Sequence, residues 1–249
     1  MFSVENTWKD LSDANVVTAV VSFGAIEQHG EHLPLGTDWI LAENYAAAIA
    51  KELNAYMLPA MPFGCSREHM GFPGTITLKP FTLAAVLEDI VESLLQNGIH
   101  NIIVLNTHGG NWILKPILRE INYKHPEAVI IWDRGSYPDE EETTIPADIH
   151  AGSSETARMM VVRPDLVRAD LAYNDSPGCV GQEFNDYVGF DKTTKTGAWG
   201  TPSESSVSMG IEITENELQS RVKYIKWALQ HAYKLKNTDG VVRGKNSIA

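Results

Sequence analysis

Four short runs of apolar, largely β-branched residues alternate along the chain with longer stretches in which apolar positions recur every three or four residues. The runs are Val16 to Phe23, Ala55 to Met61, Asn101 to Leu105 and Ala128 to Trp132. Their continuous hydrophobicity suits strands covered on both faces, as parallel sheets require. The intervening stretches read as helices. Trp39 to Leu53 carries Ile40, Leu41, Ala47, Ala48, Ile49 and Leu53 at helical spacing, with Thr37 or Asp38 as its cap. Thr82 to Gln96 gathers Leu83, Val86, Leu87, Ile90, Val91, Leu94 and Leu95 on one face, and Gly98 stops it. A third helix bears Ile113, Leu114, Ile117, Leu118 and Ile121, and a fourth starts at Ser153 or Ser154 and runs toward Pro164. Thr214 is expected to cap a final amphipathic helix ending near Leu235. Between the last two lies Asn174 to Met209, rich in Gly, Ser, Thr and Pro, which reads as a loop reaching over a pocket.

Strand alternating with helix throughout predicts an α/β fold. At 249 residues and 43% hydrophobic composition, with no repeat or linker, residues 1–249 are expected to form a single domain. No run approaches the ~18 apolar residues that would span a bilayer, and the N-terminus has no signal-peptide pattern, so no membrane partner and a cytoplasmic location are expected. A net charge of −12, without a basic stripe, opposes nucleic-acid binding and favours a small-molecule partner. The acidic run Asp139 to Glu142, between Pro138 and Pro146, reads as a solvated face. Cys65 and Cys179 do not form a Cys-x-x-Cys pair and read as free thiols.

The chemistry concentrates where strands end. Gly24 to Asp38 follows the first strand and packs Glu27, His29, Glu31, His32 and Asp38 into fifteen residues. Such a cluster is a metal site, an acid/base site or a polar loop. His108 follows the third strand, and His150 and Glu155 flank the start of the fourth helix. Open α/β sheets bind ligands at the carboxyl ends of their strands, so these stretches share one location. Carboxylate and imidazole donors without cysteine point to Zn²⁺, Mn²⁺ or Fe²⁺ rather than a thiolate site or calcium. Glu27 and His29, two apart in an extended segment, leave on the same side, and the carboxylate of Asp38 can bridge two ions about 3.5–4 Å apart.

Other readings use fewer of these residues. Gly109 and Gly110 before a helix could cradle a phosphate, making the chain a nucleotide-binding module, but the full glycine fingerprint is missing. A closed metal centre would make it a structural protein. Ser153 or Ser154 beside His150 lacks the Gly-x-Ser-x-Gly elbow of a serine hydrolase.

Glu27-Gln28-His29-Gly30-x-His32-Leu33-Pro34-Leu35-x-Thr37-Asp38 closely resembles the first motif of the creatininase (creatinine amidohydrolase) family. The resemblance recurs in His69-x-x-Phe72-Pro73-Gly74-Thr75, in Asn106-x-His108-Gly109-Gly110-Asn111 and in His150-Ala151-Gly152-x-x-Glu155-Thr156, with Gly200-x-Pro202 a weaker match. It implies a single three-layer α/β/α domain with a mainly parallel sheet, two divalent metal ions and assembly into a homohexamer. Zinc is the first expectation, with manganese or iron as alternatives. Glu27, Asp38 and His108 would hold one ion, and His29, Asp38 and Glu155 the other. His150 matches the catalytic histidine, and His32 and His69 fall at substrate-binding positions.

The activity implied is hydrolysis of a C–N bond, amide, cyclic amide or formamide but not peptide, in which a metal-bridging hydroxide attacks the carbonyl and His150 protonates the leaving group. Ring opening of a keto-inositol is the alternative. Creatinine-hydrolysing members carry a glutamate directly before the catalytic histidine, a tryptophan a few residues earlier and a His-x-Glu after the third strand. Here Ile149, Pro146 and Gly110 stand instead, so creatinine itself is not the expected substrate.

Overall fold

A computed structural model describes residues 1–133, 148–177, 181 and 185–236. The run Asp139 to Glu142, Pro146 and Cys179 lie outside the described residues; Cys65 is a free, buried thiol. The elements are α1 (Trp8–Asp13), β1 (Thr18–Phe23), α2 (Thr37–Leu53), β2 (Tyr56–Met57), α3 (Pro80–Gln96), β3 (Asn101–Asn106), α4 (Leu114–Lys124), β4 (Val129–Trp132), α5 (Ser153–Val162), α6 (Phe190–Thr193) and α7 (Val207–Lys236).

The four strands form one sheet in the order β2-β1-β3-β4, every pairing parallel. Because side chains alternate across a strand, each strand feeds two cores. Ala19, Val21 and Phe23 of β1 and Ile102 and Val104 of β3 pack with Leu83, Leu87 and Val91 of α3 and Leu114 and Leu118 of α4. Val20, Ile103 and Leu105 point the other way, onto Leu41, Tyr45 and Ile49 of α2, Met159 of α5 and Ile225 of α7. The result is the expected three-layer α/β/α arrangement with a parallel sheet. Among the described residues, no helix is long and apolar enough to cross a membrane.

The strand order has a consequence for function. From β1 the chain crosses by α2 to β2 on one side, whereas from β3 it crosses by α4, on the opposite face, to β4 on the other. The carboxyl ends of the adjacent strands β1 and β3 therefore open onto loops that diverge, which leaves a crevice between them. The loop bearing Glu27, His29 and Asp38 leaves β1, and His108 leaves β3, so both stretches reach the same crevice.

Three local expectations need correction. The second strand shrinks from Ala55 to Met61 to a two-residue pairing, because Pro59 has no N–H for the ladder; Phe23 and Met61 meet only in an isolated bridge. Neither Thr37 nor Asp38 caps α2, whose N-cap is Gly36; the Thr37 hydroxyl donates to the Pro34 carbonyl at 2.8 Å, which leaves the Asp38 carboxylate free for other contacts. The last helix begins at Val207, seven residues before Thr214, since Ser206 Oγ accepts from the Met209 N–H at 3.2 Å and supplies the cap. That helix is tied to the end of β4 and to α2 by a buried network in which Arg221 bonds Asp133 and lies 4.8 Å from the centre of the Tyr45 ring.

The close seating of α2 on β1 depends on Gly24. A Cβ there would stand 2.6 Å from the backbone N and Cα of Trp39, closer than any side chain can approach. Gly24→Ala is therefore expected to push the first turn of α2, and Asp38 with it, away from β1, at a cost of about 1–3 kcal/mol. The check is the urea midpoint, which should fall with the slope of the transition unchanged.

Candidate metal centre

Six elements meet at the crevice. Glu27, Gln28 and His29 lie on the loop after β1, held by the Glu27 N–H on the Leu35 carbonyl at 2.9 Å and the Gln28 N–H on Thr75 Oγ1 at 3.2 Å. Asp38 stands in the first turn of α2, His69 in the 3₁₀ turn Arg67–His69, and His108 just beyond β3. His150 pairs with Trp199 in an antiparallel bridge, and Glu155 stands in the first turn of α5. Glu27, His29, His32, Asp38, His69, His108 and His150 are all buried.

His29 and His108 share one arrangement. His29 Nδ1 donates to the Glu27 carbonyl at 3.2 Å, so its bare Nε2 faces Asp38 Oδ1 at 3.6 Å and Glu155 Oε2 at 3.9 Å. His108 Nε2 donates to the Cys65 carbonyl at 2.8 Å, so its bare Nδ1 faces Asp38 Oδ2 at 3.2 Å; Glu27 Oε2 lies 3.2 Å from Nε2. A backbone carbonyl fixing one ring nitrogen while the other points at carboxylates is the pattern of metal-ligating histidines. The two oxygens of Asp38 divide between the two rings. Both Glu27 oxygens, His29 Nε2 and Asp38 Oδ2 are buried without a hydrogen-bond partner. Lone pairs facing buried carboxylate oxygens are stable only with a cation between them, so this donor set fits divalent metal.

Donor atoms within 4.8 Å of one another occur in three overlapping groups: Glu27, His29 and Asp38; His29, His150 and Glu155; and Glu27, His69 and His150. Four of the sequence-derived ligands, Glu27, His29, Asp38 and Glu155, fall in these groups with His69 and His150 beside them; His108 is in none of the three, although its ring nitrogens lie 3.2 Å from Glu27 and from Asp38.

Electrostatics sharpen the division of roles. Burial lowers His29, but Asp38, Glu155 and Glu27 outweigh it and hold it up at about 10. His108 is raised in the same way, burial being overcome by Glu27 and Asp38. Burial and the neighbouring His29 push His150 well below its ordinary range and His32 down to about 4, while burial with His108 and His29 takes His69 to about 2. Burial keeps Asp38 from falling further, yet His29 and His108 hold it low, whereas burial raises Glu27 and Glu155. The carboxylates that raise His29 and His108 create a negative field that a bound cation would neutralise, while His69 and His150 stay neutral.

A cavity of about 560 Å³ opens above the cluster, and Glu27, His69, His108 and His150 line it. Its other walls include Arg67, Glu68, Trp112, Ile149, Asn185, Asp186 and Phe190. His32 is not among the lining residues; its Nε2 faces Thr156 Oγ1 of α5 at 2.9 Å. Phe190 of α6 packs on the His69 ring with centroids 4.4 Å apart. Gly110 also lines the cavity, and a Cβ there would overlap the Cys65 carbonyl oxygen and His108 Nε2. No side chain, carboxylate or otherwise, fits at that position without displacing His108.

Several contributors play parts that their sequence pattern does not reveal. Asp148 accepts from the Ser153 and Ser154 N–H groups at 2.9 and 2.7 Å, and so anchors the start of α5 from outside the cap position. Asn111, fully buried, accepts from the Cys65 N–H at 2.8 Å and donates to the Gly24 carbonyl at 3.1 Å, joining three segments of the site. Phe190, Asn185 and Asp186 come from the stretch whose composition revealed only a loop over a pocket.

A family model described as creatininase, creatinine amidohydrolase, matches residues 4–225. A mycofactocin precursor peptide peptidase of Mycolicibacterium smegmatis is 30% identical over 207 residues, 80% of each chain. A creatinine amidohydrolase of Pseudomonas putida is 30% identical over 202 residues, 71% of this chain and 77% of its own. The crystal structure of a candidate creatinine amidohydrolase from Bacteroides fragilis superposes with a TM-score of 0.78 at 26% identity, covering 92% of this chain and 97% of that one. Matched along nearly its whole length in sequence and in fold, the chain belongs to the creatininase family of hydrolases.

Proposed function

We propose that the chain is a dinuclear metal-dependent hydrolase that cleaves a C–N bond of a small amide, with residues 1–249 acting as one domain. The observation that carries this reading is the division of Asp38, whose Oδ1 faces His29 and whose Oδ2 faces His108. A carboxylate shared between two ions needs that split. Glu27, Asp38 and His108 Nδ1 would hold one ion, and His29 Nε2, Asp38 and Glu155 the other, with zinc or manganese suited to the donors. When bound, the ions supply Lewis acidity toward a carbonyl and lower the pKa of water from about 15.7 toward about 7.

The protein's own groups supply the rest. His150 Nε2 donates to the Gln28 carbonyl at 2.7 Å, which leaves Nδ1 bare on the cavity side, 3.8 Å from Glu27 Oε1. That lone pair places Nδ1 to take a proton from the attacking water and return it to the leaving nitrogen. The Phe190 ring packs edge-on beside His150, centroids 5.1 Å apart, and forms an apolar wall next to that transfer.

On substrate, Gly110 argues against creatinine, since the carboxylate that creatinine-hydrolysing relatives place there has no room. An acyclic or cyclic amide or a formamide fits the cavity, and a peptide C–N bond is the second reading, favoured by the peptidase relative. The family reading extends to a homo-oligomer, which would cover exposed apolar residues such as Trp39, Ile76, Phe81 and Trp112.

Chelation should abolish turnover, and zinc or manganese should restore it. Asp38→Ala is expected to reduce metal content measured by atomic emission from about two ions to below one, and kcat/KM by more than about 100-fold. Full metal content and turnover in that variant would sink the bridging assignment. In a panel of cyclic amides, formamides, short peptides, creatinine and a keto-inositol, turnover is expected on C–N substrates other than creatinine; activity on the keto-inositol alone would reverse the reading. Gly110→Glu should fail to confer creatinine hydrolysis and should destabilise the fold by about 1–3 kcal/mol, seen as a lowered melting temperature, whereas Ile149→Glu, at a partly exposed position, should fold normally.

A further inference from the structure

Gln28 separates two of the proposed metal ligands, yet its own side chain turns away from them and is 4% exposed. The orientation of its amide is settled by two backbone groups. The Gly30 N–H donates to Gln28 Oε1 at 3.0 Å, and Gln28 Nε2 donates to the Gly197 carbonyl at 2.9 Å. Neither backbone group can exchange its role, so a reversed amide would set oxygen against oxygen and N–H against N–H. With one Nε2 hydrogen used on Gly197, the other points at His69 Nδ1, 2.8 Å away. His69 Nδ1 must therefore accept. Its proton resides on Nε2, which faces Glu27 Oε1 at 3.4 Å in the wall of the cavity.

The backbone of the same residue acts on the second histidine. The Gln28 carbonyl accepts from His150 Nε2, which leaves the lone pair on Nδ1. The two rings lie side by side, centroids 4.3 Å apart and 37° between planes. One residue thus assigns opposite polarities to neighbouring imidazoles, an N–H donor on His69 and a lone pair on His150.

We infer that Gln28 is a positioning residue whose amide and carbonyl fix the tautomers of His69 and His150, so that the cavity presents a donor beside an acceptor, the complement of the C=O and N–H of a secondary amide. This deepens the amide-hydrolase reading and rests on it for the part His150 plays. His69 Nε2–H meets the carbonyl oxygen, and His150 Nδ1 meets the nitrogen that will leave. Replacing the amide by a carboxylate of the same shape turns the donor into an acceptor, which draws the His69 proton to Nδ1 and strips it from the cavity side.

The test uses protein labelled with ¹⁵N histidine, metal-free and zinc-loaded, in two-bond ¹H–¹⁵N correlation spectra, with the His69 signals assigned by their loss in His69→Gln. In the wild-type protein both His69 and His150 should show protonated Nε2 and bare Nδ1. In Gln28→Glu, His69 should move its proton to Nδ1, and Gln28→Met should give a mixture of the two tautomers. Titration with N-methylacetamide, an unreactive secondary amide, should shift the His69 and His150 signals of the zinc-loaded wild-type protein, with Kd raised about 10-fold or more in Gln28→Glu. A wild-type His69 protonated on Nδ1, an unchanged tautomer in Gln28→Glu, or equal amide affinity in that variant would each overturn the inference. Because the wild-type spectrum alone decides the tautomers, a variant that fails to fold does not rescue the idea. Absence of turnover on every C–N substrate, with the tautomer pattern intact, would count against the hydrolase reading and leave the positioning role standing.

Discussion

Three carboxylates gathered within reach of one another, Glu27 and Asp38 buried and Glu155 partly buried, set the terms for this protein. Glu27, Asp38 and Glu155 are drawn together from three segments, and each lies within 4 Å of a histidine nitrogen. Unpaired, such charges would cost several kcal/mol apiece. The fold meets that cost by surrounding them with imidazoles whose outward nitrogens are engaged by main-chain carbonyls. Rigid carbonyl partners hold the rings in place, and the rings in turn hold the negative charge. Donors that stay this close without hydrogen bonds of their own are what a cation site looks like before the cation is considered.

The sheet makes that convergence possible. A parallel sheet delivers every strand's carboxyl end to one edge, and the reversal of direction between β1 and β3 opens the crevice into which both following loops fall. Glu27, Asp38 and His108 are close because their strands are adjacent in the sheet, although about eighty residues separate the first from the last. The remaining groups arrive later in the chain, on α5 and on the segment bridged by Trp199 to His150, and close the site from the opposite side.

Much of this was legible in the sequence, and the reasons differ from residue to residue. Hydrophobic period distinguishes strand from helix because burial on two faces and on one face leave different patterns, and all four strands were visible that way. Glu27, His29, Asp38, His108, His150 and Glu155 stood out because dense carboxylate and imidazole residues at strand ends have few structural reasons to be there. What stayed hidden depends on contacts far apart in the chain. Asp148 could not be seen as the anchor of α5, since it works from outside the cap position. Gln28 belongs to the first motif, but its role could not be read there, because its partners, Gly197 and His69, are distant in sequence. Thr214 misled through a cap-like local pattern that an earlier serine had already made redundant.

The crowding at Gly110 carries a consequence for how this pocket could acquire a new specificity. A methyl group at that position collides with a main-chain carbonyl and with the His108 imidazole, so a side chain there requires the surrounding turn to move as well. Substitution is easier at the facing walls, where Glu68, Ile149, Asn185 and Asp186 border the cavity. On this backbone a change of substrate is then a matter of exchanging the loops around the turn, and a single replacement at Gly110 costs stability before it brings new chemistry.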